Sequence, residues 1–252
     1  MAGHSKWANI KHRKAAQDAK RGKHFGKRIR AIESAAREAN TSDPDQSSSL
    51  ALAVQKAKDA DVPKDNIERA CKRGAGELDG ASTYETAQYE GYAPSGVAVL
   101  VDVLTDNRNR TASDVRQAFS KVGGSLAEPG SVAFLFSRRG QVRIDATGVE
   151  EDELMLVGLE HGMEDLEHDD DAFVAWCDAS DLIDLRKALE DAGYTVTSSG
   201  STMVPASTVP ISEPAEAKRV LTLFDQLDDN DDVQEVYANA DFDDAVLESM
   251  EA

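Results

Sequence analysis

The spacing of apolar residues changes along the chain, and each change marks a new kind of element. Residues 1–14 are polar and basic with no clean period, and read as an arm. From Ala15 the spacing turns helical. Phe25, Ile29, Ile32, Ala36 and Ala39 fall four, three, four and three apart and make one apolar stripe. Lys20, Arg21, Lys23, Lys27, Arg28 and Arg30 lie mostly off that stripe, so a basic amphipathic helix of roughly six turns is predicted. A polar run with Pro44 ends it. A second helix over 49–60 would bury Leu50, Val54 and Ala57. Pro63 then stands in the first turn of a third, where its missing N–H costs nothing. Ile67 and Ala70 or Cys71 face inward there, and Gly74 and Gly76 stop it.

The pattern next becomes β. Residues 84–94 and 96–106 read as strands joined by a turn at Pro94, Ser95 and Gly96. Residues 108–123 read as a helix, with Thr111 or Ser113 as N-cap, Gly123 as its stop, and Val115, Ala118, Phe119 and Val122 on one face. The run 131–136 is expected to be a strand with Val132, Phe134 and Phe136 on one side. From about Arg138 the order is strand, helix, strand, strand, helix, strand, the ferredoxin-like split βαβ. A helix and a strand follow and resemble the missing half of the unit at 82–136. The expected fold is therefore α+β. An N-terminal helical domain (1–80) precedes two ferredoxin-like α/β domains, one (137–205) inserted in the other (82–136 plus 206–244), with an acidic tail at 245–252.

Charge sharpens this picture. Residues 1–37 hold eleven Lys or Arg against Asp18 and Glu33, a net +9, so with the whole chain at −19 the remainder totals −28. The same segment holds Trp7, Phe25, His4, His12 and His24. Concentrated positive charge with aromatics is the footprint of a phosphate-backbone reader, so nucleic acid is the expected partner. Candidate phosphate contacts are Lys6, Lys11, Arg13, Lys14, Lys20, Arg21, Lys23, Lys27, Arg28 and Arg30, with Trp7 able to stack on an unpaired base. The competing reading is a solvated helix face, or docking of this arm on the acidic domains. Reversal of Lys27 and Arg28 to Glu is expected to abolish binding. The segment Asn107, Arg108, Asn109, Arg110 links a strand end to a helix N-terminus. There, backbone N–H groups and two guanidinium forks suit phosphates, and Asn can read base edges. Turn and cap chemistry is the alternative. Lys64, Arg69, Lys72 and Arg73 extend the basic surface or pair within their helix, as Glu68 with Lys72.

Enzyme signals are poor. No P-loop, nucleophile elbow or zinc-protease motif occurs, so neither catalysis nor a cofactor is expected. His161 and His168 lie seven apart without a nearby Cys, and no metal site is expected. The acid-rich runs 164–171 and 225–232 read as solvated surface. Phe134 and Phe136 read as core or interface, because the signature of an RNA-recognition sheet is missing. Cys71 and Cys177 read as core thiols of a reducing cytosol, and no run approaches a membrane span, so a cytoplasmic chain is expected.

Residues 1–32, "PKDNIERACKRGAG", "YEGYAPSGVAVLVDVLTDNRNRT" and "PGSVAFLF" closely resemble the YebC/PmpR family. The resemblance covers essentially the whole chain. It implies a helical domain plus two α/β domains. It also implies regulation through nucleic acid, in the form of probable DNA-binding transcriptional regulators or of ribosome-associated translation factors that bind ribosomal or transfer RNA, some easing elongation through proline-rich stretches. A protein-interaction module docking its basic arm on an acidic partner is the rival from another class.

Overall fold

A computed structural model describes residues 18–80, 83–169, 171–243 and 245–247, and for 18–23 the backbone alone. The arm over 1–14 and the tail beyond 247 lie outside the described residues. In chain order the elements are α1 (Asp18–Ala39), α2 (Ser48–Asp59), α3 (Lys64–Gly74), β1 (Glu85–Tyr92), β2 (Ala98–Thr105), α4 (Arg108–Lys121) and β3 (Ser125–Leu126). They continue as β4 (Phe136–Asp145), α5 (Glu151–Glu160), β5 (Met163–Asp169), β6 (Ala172–Asp178), α6 (Leu182–Asp191) and β7 (Val196–Pro205). Then come β8 (Val209–Ile211), α7 (Pro214–Asp228), β9 (Val233–Ala238) and β10 (Ala240–Phe242). The fold is α+β, with helices first and strand-rich sheets after them.

The chain forms two compact units. One holds the described residues of 1–30, 82–137 and 204–252, and the other those of 31–81 and 138–203. Helices α2 and α3 thus fall in one unit with 138–203, and most of α1 falls in the other.

In the first unit the strand order is β3-β1-β2-β9, with every neighbouring pair antiparallel. Val99, Val101 and Val103 alternate on β2 and share a core with Val115 and Phe119 of α4 and with Val220, Leu223 and Phe224 of α7. The opposite face of the sheet carries Leu100 and Leu104, which are also buried. Strand β2 is covered on both sides, which explains its near-continuous apolar run.

One expectation fails here. The stretch 131–136 is not a strand, because Ala133–Leu135 winds into a short 3₁₀ turn. Buried Glu90 on β1 causes this. Its carboxylate accepts the backbone N–H groups of Gly130 and Val132 at 2.6 Å and of Ala133 at 2.8 Å. Burial alone would raise the Glu90 pKa, yet these three donors outweigh it and hold the group below its ordinary value. Three N–H groups turned toward one carboxylate cannot keep a strand's alternation. Val132 and Phe136 are buried as expected, but Phe134 is 74% exposed.

In the second unit β4 to β7 realise the expected order βαββαβ. The sheet runs β5-β6-β4-β7, with the first and third strands central, as in ferredoxin-like folds. Val142, Ile144, Phe173 and Ala175 of the sheet pack on Leu154, Leu185 and Leu189 of the helices. Leu52 of α2 joins that core, and Arg186 of α6 grips Asp59 of α2 with two hydrogen bonds of 2.8 and 3.1 Å.

Helix α3 crosses the second half of α1 at Gly74. A Cβ there would collide with the Glu33 carbonyl oxygen and lie 2.7 Å from the Ala36 Cβ. Gly74→Ala adds roughly 1 kcal/mol of helix propensity. Overpacking should outweigh that gain, leaving a net loss of about 1–2 kcal/mol in urea unfolding. A variant more stable than the parent would show that the crossing is open.

Candidate nucleic-acid interface

Of the sequence-predicted contacts, Lys6, Trp7, Lys11, Arg13 and Lys14 lie outside the described residues. Lys20, Arg21 and Lys23 belong to α1, of which only the backbone is described at those positions. The next three cations are engaged within their own unit. Lys27 is 6% exposed, and its Nζ donates to the Asp228 carbonyl at 2.6 Å. That carbonyl ends α7, where the helix dipole favours a cation. Arg28 pairs with Glu235 at 3.2 Å. Arg30 donates to the Asp231 carbonyl at 2.8 Å, lies 3.6 Å from the Asp232 carboxylate, and stands over the Tyr84 ring at 5.9 Å.

The acidic run 225–232 is thus the seat of α1 rather than plain solvated surface. The run 164–171 is also tied down in part, with Arg139 on Glu164 and Arg143 on Asp169. It follows that reversing Lys27 and Arg28 would drive carboxylates against the end of α7 and against Glu235, and would test folding together with binding.

Helix α4 begins at Arg108, as expected. Its N-cap is Asn107, not Thr111 or Ser113: the Asn107 Oδ1 accepts the Arg110 N–H at 3.1 Å. The Asn107 side-chain oxygen and one helix-terminal N–H are thereby used on each other rather than offered to a ligand. Thr111 turns inward instead, is fully buried, and donates to the Asp232 carboxylate at 2.8 Å. Arg110 is gripped by Asp106 at 2.8 Å and Asp232 at 2.7 Å. Its hydrogen bonds to the Asp232 and Asp106 carboxylates push its pKa further up. Arg108 and Asn109 are exposed on the first turn.

The two stretches singled out from the sequence therefore meet at one carboxylate. Asp232 is 6% exposed and holds Arg110, Thr111, Thr105 and, more loosely, Arg30. Burial raises its pKa, but the Arg110, Thr111 and Thr105 donors and the Arg110 charge outweigh this and leave the group below its ordinary value. The cleft around it has a volume of about 500 Å³ and is lined by five aspartates against two arginines, with Tyr84 and Asn230. Phosphate would meet a net negative wall there, so Arg110 serves as a structural clamp. Sequence reasoning missed Asp232 because it is one acid in an acidic run, and only its distant partners set it apart.

Elsewhere, Glu68 pairs with Lys64 at 3.7 Å, not with Lys72. Both cysteines are buried and free. Burial, then the Asp181 and Glu164 charges, pushes the Cys177 thiol up to about 11, and burial raises Cys71 too, so neither is a poised thiolate. The His168 ring lies 4.7 Å from that of Phe173. Among the described residues no cluster of His, Cys, Asp or Glu is arranged to hold a metal, and no helix is long and apolar enough to cross a membrane.

The fold defines an α+β protein of helical and ferredoxin-like parts, with a basic helix held by ion pairs. The chain belongs to the TACO1/YebC family. Residues 5–77 match the family's N-terminal domain, and residues 84–240 match its second and third domains. It is 50% identical to a probable transcriptional regulatory protein of Halothermothrix orenii, over 99% of both chains. It is 52% identical to one of Rubrobacter xylanophilus, over 98% of both. A conserved hypothetical protein of Aquifex aeolicus, known from its crystal structure, is 41% identical, with a TM-score of 0.80 over 90% of this chain and 93% of that one.

Proposed function

We propose that this chain regulates gene expression by binding nucleic acid through its N-terminal segment and the first turns of α1, as a DNA-binding transcriptional regulator. One observation carries the reading: a +9 segment on a body of −28. Lys27, Arg28 and Arg30 seat the helix on the acidic end of α7 and the start of β9. Contact with phosphates then falls to Lys6, Lys11, Arg13, Lys14, Lys20, Arg21 and Lys23, with Trp7 against a base and Arg108 and Asn109 as an exposed second contact. Asn107 and Arg110 act as cap and clamp. The acidic faces orient the complex by repulsion. The names of the relatives support a regulatory role in transcription.

A second reading, a translation factor on ribosomal or transfer RNA, is favoured by the same acidic body. A long duplex repels it, whereas a basic arm can enter an RNA cleft.

The test is affinity against salt on duplex DNA and on structured RNA, followed by crosslinking in cells and sequencing of the attached nucleic acid. Seven phosphate contacts predict a log–log slope of about −6 on duplex DNA. Promoter sequences after crosslinking support the first reading, and discrete ribosomal or transfer RNA sites support the second. Salt-independent or undetectable binding to both at 50 mM salt, about the low end where such contacts are strongest, overturns both.

A further inference from the structure

Six large apolar side chains stand exposed among the described residues. Four of them, Met155, Leu156, Leu159 and Ile183, lie on α5 and α6 of the ferredoxin-like unit. Leu156 is 68% and Leu159 56% exposed. These two are one helical turn apart, as are Met155 and Leu159. Helices α5 and α6 pack against each other, and just past the end of α5 a Cβ on Gly162 would lie 2.9 Å from the carboxylate of Asp181, the residue before α6. Single exposed apolar residues are ordinary, but four on one pair of packed helices form a patch that water penalises.

The rim of the patch is acidic. Helix α5 carries Glu151, Asp152, Glu153 and Glu160 and no Lys or Arg. On α6, Asp184, Glu190 and Asp191 face two cations: Lys187, and Arg186, which is tied to Asp59 and Glu190. A complementary partner must bring apolar side chains among cations. This chain has one such segment, with Trp7 and Ile10 set among Lys6, Lys11, Arg13 and Lys14, and its first acid is Asp18. Outside residues 1–37 every copy is strongly negative. The basic segment is therefore the part of one copy that another copy's acidic face attracts.

We infer that the α5–α6 face is a docking surface for the N-terminal basic segment of a second copy of this chain, Trp7 and Ile10 covering Leu156 and Leu159 while the cations meet the acidic rim. The inference stands on the patch and the charge pattern, and holds whether or not the segment also binds nucleic acid. If it does, the two uses compete.

The experiment is sedimentation equilibrium of the full chain, freed of nucleic acid, at low and high salt, with the variants Leu156→Asp and Trp7→Asp alone and mixed. The parent chain should self-associate at low salt and dissociate as salt rises. Each variant should weaken association at least about tenfold, since each carries a contact at the centre of the interface. An equimolar mixture should regain association, because one variant keeps an intact patch and the other an intact segment. Far-ultraviolet circular dichroism confirms that Leu156→Asp, at an exposed site, stays folded. A parent chain that is monomeric at every salt and concentration overturns the inference. So does association that either variant leaves unchanged, or a mixture that remains monomeric. Nucleic-acid affinity measured on the same proteins is a separate readout, so loss of one property does not count against the other.

Discussion

Asp232→Ala is expected to destabilise the protein by about 2–3 kcal/mol at neutral pH, because it leaves the buried Thr105 and Thr111 hydroxyls short of an acceptor, while Arg110, half exposed, keeps Asp106 as its partner. The carboxylate accepts from Arg110, Thr111 and Thr105 and faces Arg30, so four side chains from three separate stretches lose one anchor. Asp232→Asn keeps the shape and one acceptor, and should cost roughly 2 kcal/mol. The pH dependence follows from the lowered native pKa. A depressed carboxylate contributes its full stabilisation above its unfolded pKa, about 3.9, and loses it as pH falls through the native value. The parent and Asp232→Asn should therefore differ most near neutrality and converge well below pH 4. Urea unfolding at several pH values checks this. A difference that persists undiminished at the lowest pH would show that the charge of Asp232 is not what matters.

Reversal of Lys20, Arg21 and Lys23 to Glu is expected to weaken nucleic-acid binding at least about a hundredfold and to flatten the log–log salt slope by about 2.7 on duplex DNA, from three lost phosphate contacts. These positions precede the three cations that seat α1, so thermal unfolding of the triple variant should stay close to that of the parent. Lys27→Met is the contrasting variant. Its amine is buried against the end of α7. Removing it leaves the Asp228 carbonyl short of a donor and should cost about 1–3 kcal/mol of stability with little change in the salt slope. Unchanged affinity and slope in the triple variant would sink the electrostatic reading of the arm. A stability loss there matching that of Lys27→Met would instead place those cations in the fold.

The sequence by itself determined the helices and the long strands and their order, though not the turn at 133–135 or the short strands β3, β8 and β10. The stripe Phe25, Ile29, Ile32, Ala36 fixed α1, Pro63 and Gly74 bracketed α3, and the βαββαβ succession specified the sheet β5-β6-β4-β7. These follow from backbone periodicity and turn chemistry, which act over a few residues and so leave a local trace. The opposition of charge between residues 1–37 and the rest is also read directly from composition. What each cation does was decided by tertiary structure. Lys27 and Arg30 meet partners 201 residues away and Arg28 meets one 207 away, while Arg110 and Asp232 stand 122 apart. Glu90 winds the loop forty residues downstream and turns Phe134 outward. No spacing rule encodes such meetings. An acid or an arginine in a charged run looks like its neighbours until packing of the whole chain selects which one is buried against which.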